Sequence, residues 1–110
     1  MATLLEEVWN PSEGDVEHGA IDCSPYLDAG ETVNGTPTVF DTGSSGDLSF
    51  TNEAASTTEL DILGRKVDAG LAVQFSYEGQ NAGTTYRVRV TFTTSASRTK
   101  VVDQLIECAS

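Results

Sequence analysis

The 110 residues leave room for one domain with a single core and not for two, since domains most often run to roughly 100 to 150 residues. Six Lys plus Arg stand against 17 Asp plus Glu, a formal net charge of -11, which repels phosphate backbones; no nucleic acid is expected as a partner, and a basic protein surface is the natural one. The residues from Met1 to Asn10 lack the basic start and apolar run of a secretory signal, and no stretch approaches the roughly 18 apolar residues of a membrane span, so synthesis in the cytoplasm and no membrane contact are expected.

Along the chain, the first eighteen residues differ from the rest. Leu4, Leu5, Val8 and Trp9 recur at helical spacing beside Glu6 and Glu7 until Asn10-Pro11-Ser12 stops the pattern. The expectation is an arm of one or two helical turns, or an extended strap, over residues 1–18 with its linker. Such a short helix is marginal by itself, so its apolar side must lie against its own domain or against a neighbour. These four side chains are therefore the candidate partner-binding residues.

Residues 19–110 read as the domain proper. Short strands are predicted at Ala20 to Cys23, Thr36 to Asp41, Asp47 to Phe50, Thr57 to Leu63, Leu71 to Tyr77, Thr84 to Thr94 and Thr99 to Cys108, separated by Gly, Pro, Asn and Ser clusters. About seven strands at this spacing predict an all-β fold, a β-sandwich. Leu71, Val73, Phe75 and Tyr77 alternate with polar residues, as do Tyr86, Val88, Val90 and Phe92; each run sets one apolar row on a core. Gly79-Gln80-Asn81-Ala82-Gly83 between them tolerates positive φ, so the two strands are expected to pair as an antiparallel hairpin. Arg87 and Arg89 then project outward, toward acidic neighbours such as Glu78 or Glu107.

Site chemistry is thin. Asp41-Thr42-Gly43-Ser44 is the signature string of aspartic proteases, and Ile62-Leu63-Gly64-Arg65 resembles their later motif. Yet only the 18 residues Ser44 to Asp61 lie between them, too few for several strands and a flap, and Ser44-Ser45-Gly46-Asp47 reads as a turn. A single Asp also lacks the partner that makes one carboxylate hold a proton. His18 is the sole histidine and has no nucleophile tied to it. Glu13, Asp15, Glu17, Asp22, Asp28 and Glu31 do not follow the EF-hand order and read as a solvated face. Cys23 and Cys108 make no zinc site; a bridge and a reduced buried pair both remain open. No enzyme activity, metal or cofactor is expected.

The run from Gly79 to Thr99, with Ala82-Gly83-Thr84-Thr85-Tyr86 at its start and Arg98-Thr99 at its end, resembles the Gly-x-x-Ala-Gly-Thr-x-Tyr…Thr-x-x-Gly-Arg-Thr segment of small tailed-bacteriophage virion proteins. The segment Ile21-Asp22-Cys23-Ser24-Pro25-Tyr26-Leu27-Asp28-Ala29-Gly30-Glu31-Thr32-Val33 is similar to the opening of the same family. Ser24-Pro25-Tyr26 stands where the family often has Trp, and Ser97 replaces the Gly before Arg98. The resemblance implies an immunoglobulin-like virion structural protein, a capsid decoration (cement) protein or a head or tail-fibre adaptor. It would bind other virion proteins, the major capsid protein or tail and fibre proteins, in many copies on the particle or as a homo-oligomer. A cell-surface or carbohydrate-binding module is the alternative, with only Tyr26 and Phe40 to line a cleft.

Overall fold

The computed structural model describes residues 3–43, 46–62 and 64–108, and of these the side chains of residues 3, 6 and 7 are left aside. Nine strands run through the described residues: β1 (Thr3–Trp9), β2 (Glu17–Asp22), β3 (Val33–Asp41), β4 (Ser49–Ala55), β5 (Leu60–Ile62), β6 (Arg65–Val67), β7 (Ala72–Glu78), β8 (Thr85–Thr94) and β9 (Thr99–Glu107). The only helical element among them is one 3-10 turn, Ser24–Tyr26, after β2. The chain is all-β, as its alternating patterns predict. Seven of the strands lie on or near the predicted positions; β1 takes the extended of the two forms expected for the N-terminal segment, and β6 is a strand that the local pattern does not predict.

Two sheets carry the structure, in the orders β1-β9-β8-β3 and β2-β7-β4, with β5 and β6 as a separate two-stranded ribbon. The sheets share one core, the layout of a β-sandwich. Ile21, Val73, Phe75 and Tyr77 come from the three-stranded sheet, and Val39, Tyr86, Val88, Val90, Phe92, Val102 and Ile106 from the four-stranded one. In β8 the buried and less buried positions alternate along the whole strand, which is what one covered face requires. A second, smaller cluster of Ile62, Val67 and Ala72 seats the ribbon beside Ala20 and Leu71.

The expected hairpin between β7 and β8 does not form. β7 is flanked on both sides by β2 and β4, and β8 by β3 and β9, so residues 79–84 step from one sheet to the other. Alternation and glycine content fit a turn within a sheet and a step between sheets equally well, because both need apolar rows facing one core. Gly79 marks the step: at φ 96° it passes so close to the chain entering β4 that a Cβ would lie 2.1 Å from the Asp47 carbonyl oxygen. The antiparallel hairpin is instead β8–β9, aligned from Thr85 opposite Glu107 to Thr93 opposite Thr99. Its turn is closed by Thr94 N–H donating to the Arg98 carbonyl, with Ser97 at φ 61°.

The segment with helical spacing is β1, which pairs in parallel with β9 at the edge of the four-stranded sheet. The boundary after residue 18 therefore does not separate an arm from the sandwich. The linker is pinned as well. Gln80 Nε2 donates to the carbonyls of Ser12 (2.7 Å) and Asp15 (3.0 Å), Gly14 N–H donates to the Gln80 carbonyl (3.1 Å), and Ala82 N–H donates to Glu13 Oε2 (2.8 Å).

Candidate functional site

The four candidate residues divide between the two faces of β1. The register places Leu4 beside Asp103 and Val8 beside Leu105, with a shift in pairing between them, while Trp9 lies beside Ile106. Successive strand residues point to opposite faces, so Leu4 and Val8 look outward and remain 44% and 37% exposed. Leu5 and Trp9 pack on the core. The Trp9 ring stacks on Tyr77 at 5.8 Å and 11° and meets Phe75 at 5.7 Å. It lies across Gly19 of β2, where any Cβ would sit 2.5 Å from its Cη2. Glycine at 19 is thus what lets the aromatic ring of one sheet rest on the backbone of the other.

Between β1 and β2 the sandwich is open. A groove of about 880 Å³ is bordered by Leu4, Leu5, Val8 and Trp9 on one side and by Glu17 to Asp22 on the other, with Pro25, Tyr26, Asp61, Ile62 and Arg65 at its rim. Arg65 reaches Asp22 at 3.6 Å across that rim.

The outward face of the four-stranded sheet holds a charge cluster whose acidic member differs from the one expected. Register sets Phe40 of β3, Arg89 of β8, Asp103 of β9 and Leu4 of β1 in one row. Asp103, not Glu78 or Glu107, receives both arginines: Arg87 Nε at 2.5 Å, and Arg89 through Nε at 2.9 Å and Nη2 at 3.1 Å. The Asp103 side chain is fully covered while the arginines are partly exposed, which suits a bidentate guanidinium that keeps one edge in water. The hydrogen bond from Arg89, joined by Arg87, holds this carboxyl below its usual range although burial opposes it. The signal for this pairing lies in the sequence: aligning β8 and β9 about the Ser95–Arg98 turn places Asp103 opposite Arg89.

A second buried carboxylate, Glu31, ties the loop before β3 to the β8–β9 turn. Arg98 donates to both its oxygens, Thr94 Oγ1 donates to Oε2, and Asp28 N–H donates to Oε1 at 2.8 Å. These bonds, the one from Arg98 first, bring the Glu31 carboxyl down to about 2. Glu31 therefore does not belong to a solvated acidic face; it is structural.

The remaining candidates have ordinary roles. Asp41 Oδ1 accepts from Gly43 N–H at 2.9 Å and Thr42 Oγ1 donates to the Arg87 carbonyl at 2.9 Å, so the protease-like string closes a turn at the end of β3. Its Ser44 and Ser45, with Leu63 of the later string, lie outside the described residues. His18 Nδ1 sits 2.8 Å from Ser76 Oγ. Cys23 and Cys108 are free and buried, and burial pushes both thiols up, Cys23 to about 12, which makes them poor nucleophiles. Among the described residues no group of three or more His, Cys, Asp or Glu is placed to hold a metal ion. No helix among them is long and apolar enough to cross a membrane. Tyr26 borders the groove, whereas Phe40 stands on the outer face of the four-stranded sheet.

Comparison with known proteins finds no family model and no curated protein that matches this chain.

Proposed function

We propose that the chain is a non-enzymatic virion structural protein, an immunoglobulin-like capsid decoration protein or head or tail-fibre adaptor that docks on other virion proteins. The observation that carries the fold part is the strand order. The sets β2-β7-β4 and β3-β8-β9 face each other across one core in the order of strands B-E-D and C-F-G of an immunoglobulin-like sandwich, while β1 lies beside the last strand and not beside the second. Tyr86 adds a second likeness. Its hydroxyl accepts from Asn81 N–H and donates to Asp47 Oδ2, each at 2.9 Å, as the tyrosine at the corresponding corner of such domains bonds backbone a few residues upstream.

The virion part rests on the resemblance of Gly79 to Thr99 and of Ile21 to Val33, two segments that here form the step between sheets, the β8–β9 hairpin and the loop held by Glu31. Binding falls to β1, where Leu4 and Val8 face outward. A modest interface made in many copies gains permanence from avidity. The test is mass spectrometry of phage particles purified from cultures that produce the chain. A fixed, stoichiometric amount in the particle fraction is expected; a chain found only in the soluble fraction overturns the proposal.

A further inference from the structure

We infer that the groove between β1 and β2 is a binding site for an extended, basic and apolar segment of a partner protein, which adds as a strand to the edge of β2. The inference rests on the partner-binding reading above and names its site and the partner's chemistry.

Three observations converge on it. The first is the backbone edge. β2 pairs with β7 on one side only, and Cys23 N–H donates to the Leu71 carbonyl at 2.8 Å. In an antiparallel pair the bonded positions alternate, so the backbone groups of His18, Ala20 and Asp22 point away from β7, toward the groove. Among the described residues no backbone bond crosses from them to β1. β2 has six residues, a length of about 20 Å that a partner strand of similar length would match.

The second observation is the apolar floor. Trp9, stacked on Tyr77, and Leu5 lie partly buried at the opening, so alternate side chains of an added strand find an aromatic and aliphatic bed already in place. The volume of about 880 Å³ suits several side chains and is at the large end for a small-molecule pocket. Strand addition draws affinity from the main chain and selectivity from such alternating contacts.

The third is charge, which selects the occupant. Glu17, Asp22 and Asp61 border the groove and only Arg65 among Lys and Arg does so, in a chain of net charge -11. The other arginines are engaged elsewhere, Arg87 and Arg89 on Asp103 and Arg98 on Glu31 and Asp28. A second copy of this acidic chain would be repelled, whereas a segment with Lys or Arg beside its apolar residues is attracted and steered in.

The probe is a twelve-residue peptide alternating valine and lysine, titrated into the 15N-labelled full chain. Saturable shifts confined to the amides of residues 4–9 and 17–22 are expected, with affinity falling about tenfold or more when salt rises from 50 to 300 mM, roughly as several screened contacts would give. The double substitution Glu17→Lys with Asp61→Lys, on surface side chains that leave the core intact, should weaken binding about tenfold or more. A peptide with glutamate for lysine, and one with its central valine replaced by proline to remove a backbone donor, should each fail to bind. No saturable shift in those amides, or equal binding by the glutamate or the proline peptide, overturns the inference. The particle assay reads the virion proposal separately: a chain present in particles with a groove that takes no peptide sinks only the groove, and the reverse sinks only the virion role.

Discussion

β8 and β1 lie in one sheet with only β9 between them, yet they depend on the fold in opposite ways. β8 has a partner on each side and buries Tyr86, Val88, Val90 and Phe92 in the centre of the core. β1 has a partner on one side, breaks register part-way, and divides its apolar residues between core and exterior. The central strand commits its apolar surface to the core, whereas the edge strand divides its own, with Leu5 and Trp9 on the core and Leu4 and Val8 exposed. Under the proposal above, that exposed part is the surface offered to a partner.

The comparison is broken most severely at Val88. Val88→Asp puts a charge where there is no exposure, at a cost of about 4 kcal/mol or more, against a total of about 5 to 15 kcal/mol for a domain. Denaturant titration should show the cooperative transition lost or displaced to very low denaturant. A midpoint shift as small as that of Arg87→Ala would mean that the faces of β8 are reversed.

Removing residues 1–9 comes next. Leu5 and the stacked Trp9 are lost together, roughly 3 to 6 kcal/mol at about 1.5 to 3 kcal/mol for each large apolar side chain. A fall in Tm of roughly 15 °C or more should follow, while the remaining chain still melts cooperatively. An arm lying against a neighbour, one of the two placements the sequence leaves open, would instead leave a chain beginning at Gly19 melting within a few degrees of the full one. A fall of only a few degrees would therefore restore the arm.

Why β8 is legible in the sequence and β1 is not follows from their residues. β8 is long, buried on one face and polar on the other, so its period of two stands out. In β1, Leu4 and Val8 share the outer face and Leu5 and Trp9 the inner one, so apolar residues fall at i, i+1, i+4 and i+5, which is also how a helical face reads. What decides between them is β9, some ninety residues away in sequence, and local pattern carries no information about it. The same limit hides the step between β7 and β8: the apolar rows are identifiable from alternation, but which strands lie side by side is a property of the whole sheet. The ion pairs divide likewise. The outward face of Arg87 and Arg89 is readable, whereas the choice of Asp103 over Glu107 depends on the register of the β8–β9 hairpin, which the closure of its turn fixes.

Acid sharpens the contrast between core and periphery. Glu31 titrates at about 2 in the folded chain against an ordinary 4.5. Its stabilising contribution is therefore fully present above about 4.5 and is lost as pH falls toward 2. The gap in Tm between the parent chain and Glu31→Gln should be widest near neutrality and narrow between pH 4.5 and 2. A gap that stays constant over that range would show that the bonds to Arg98 and Thr94 contribute nothing through charge.

The smallest expected change in stability belongs to the outer face of β1. Leu4→Ser with Val8→Ser should alter stability by about 1 kcal/mol or less, since both side chains already meet water, yet lower the amount of chain recovered in particles. Unchanged recovery would move the docking surface elsewhere on the molecule.

The parallel pairing of β1 with β9 also sets the order of events during synthesis. The ribosome makes β1 first and β9 last of the nine strands, and at about 5 to 20 residues per second roughly 5 to 20 s pass before its partner exists. Throughout that interval Leu4, Leu5, Val8 and Trp9 are together on a nascent chain with no sheet to join, and closing so large a loop is among the slower steps a β-fold can require. Until β9 is made, the apolar residues of the nascent N-terminal segment are the kind of exposed surface that chaperones cover.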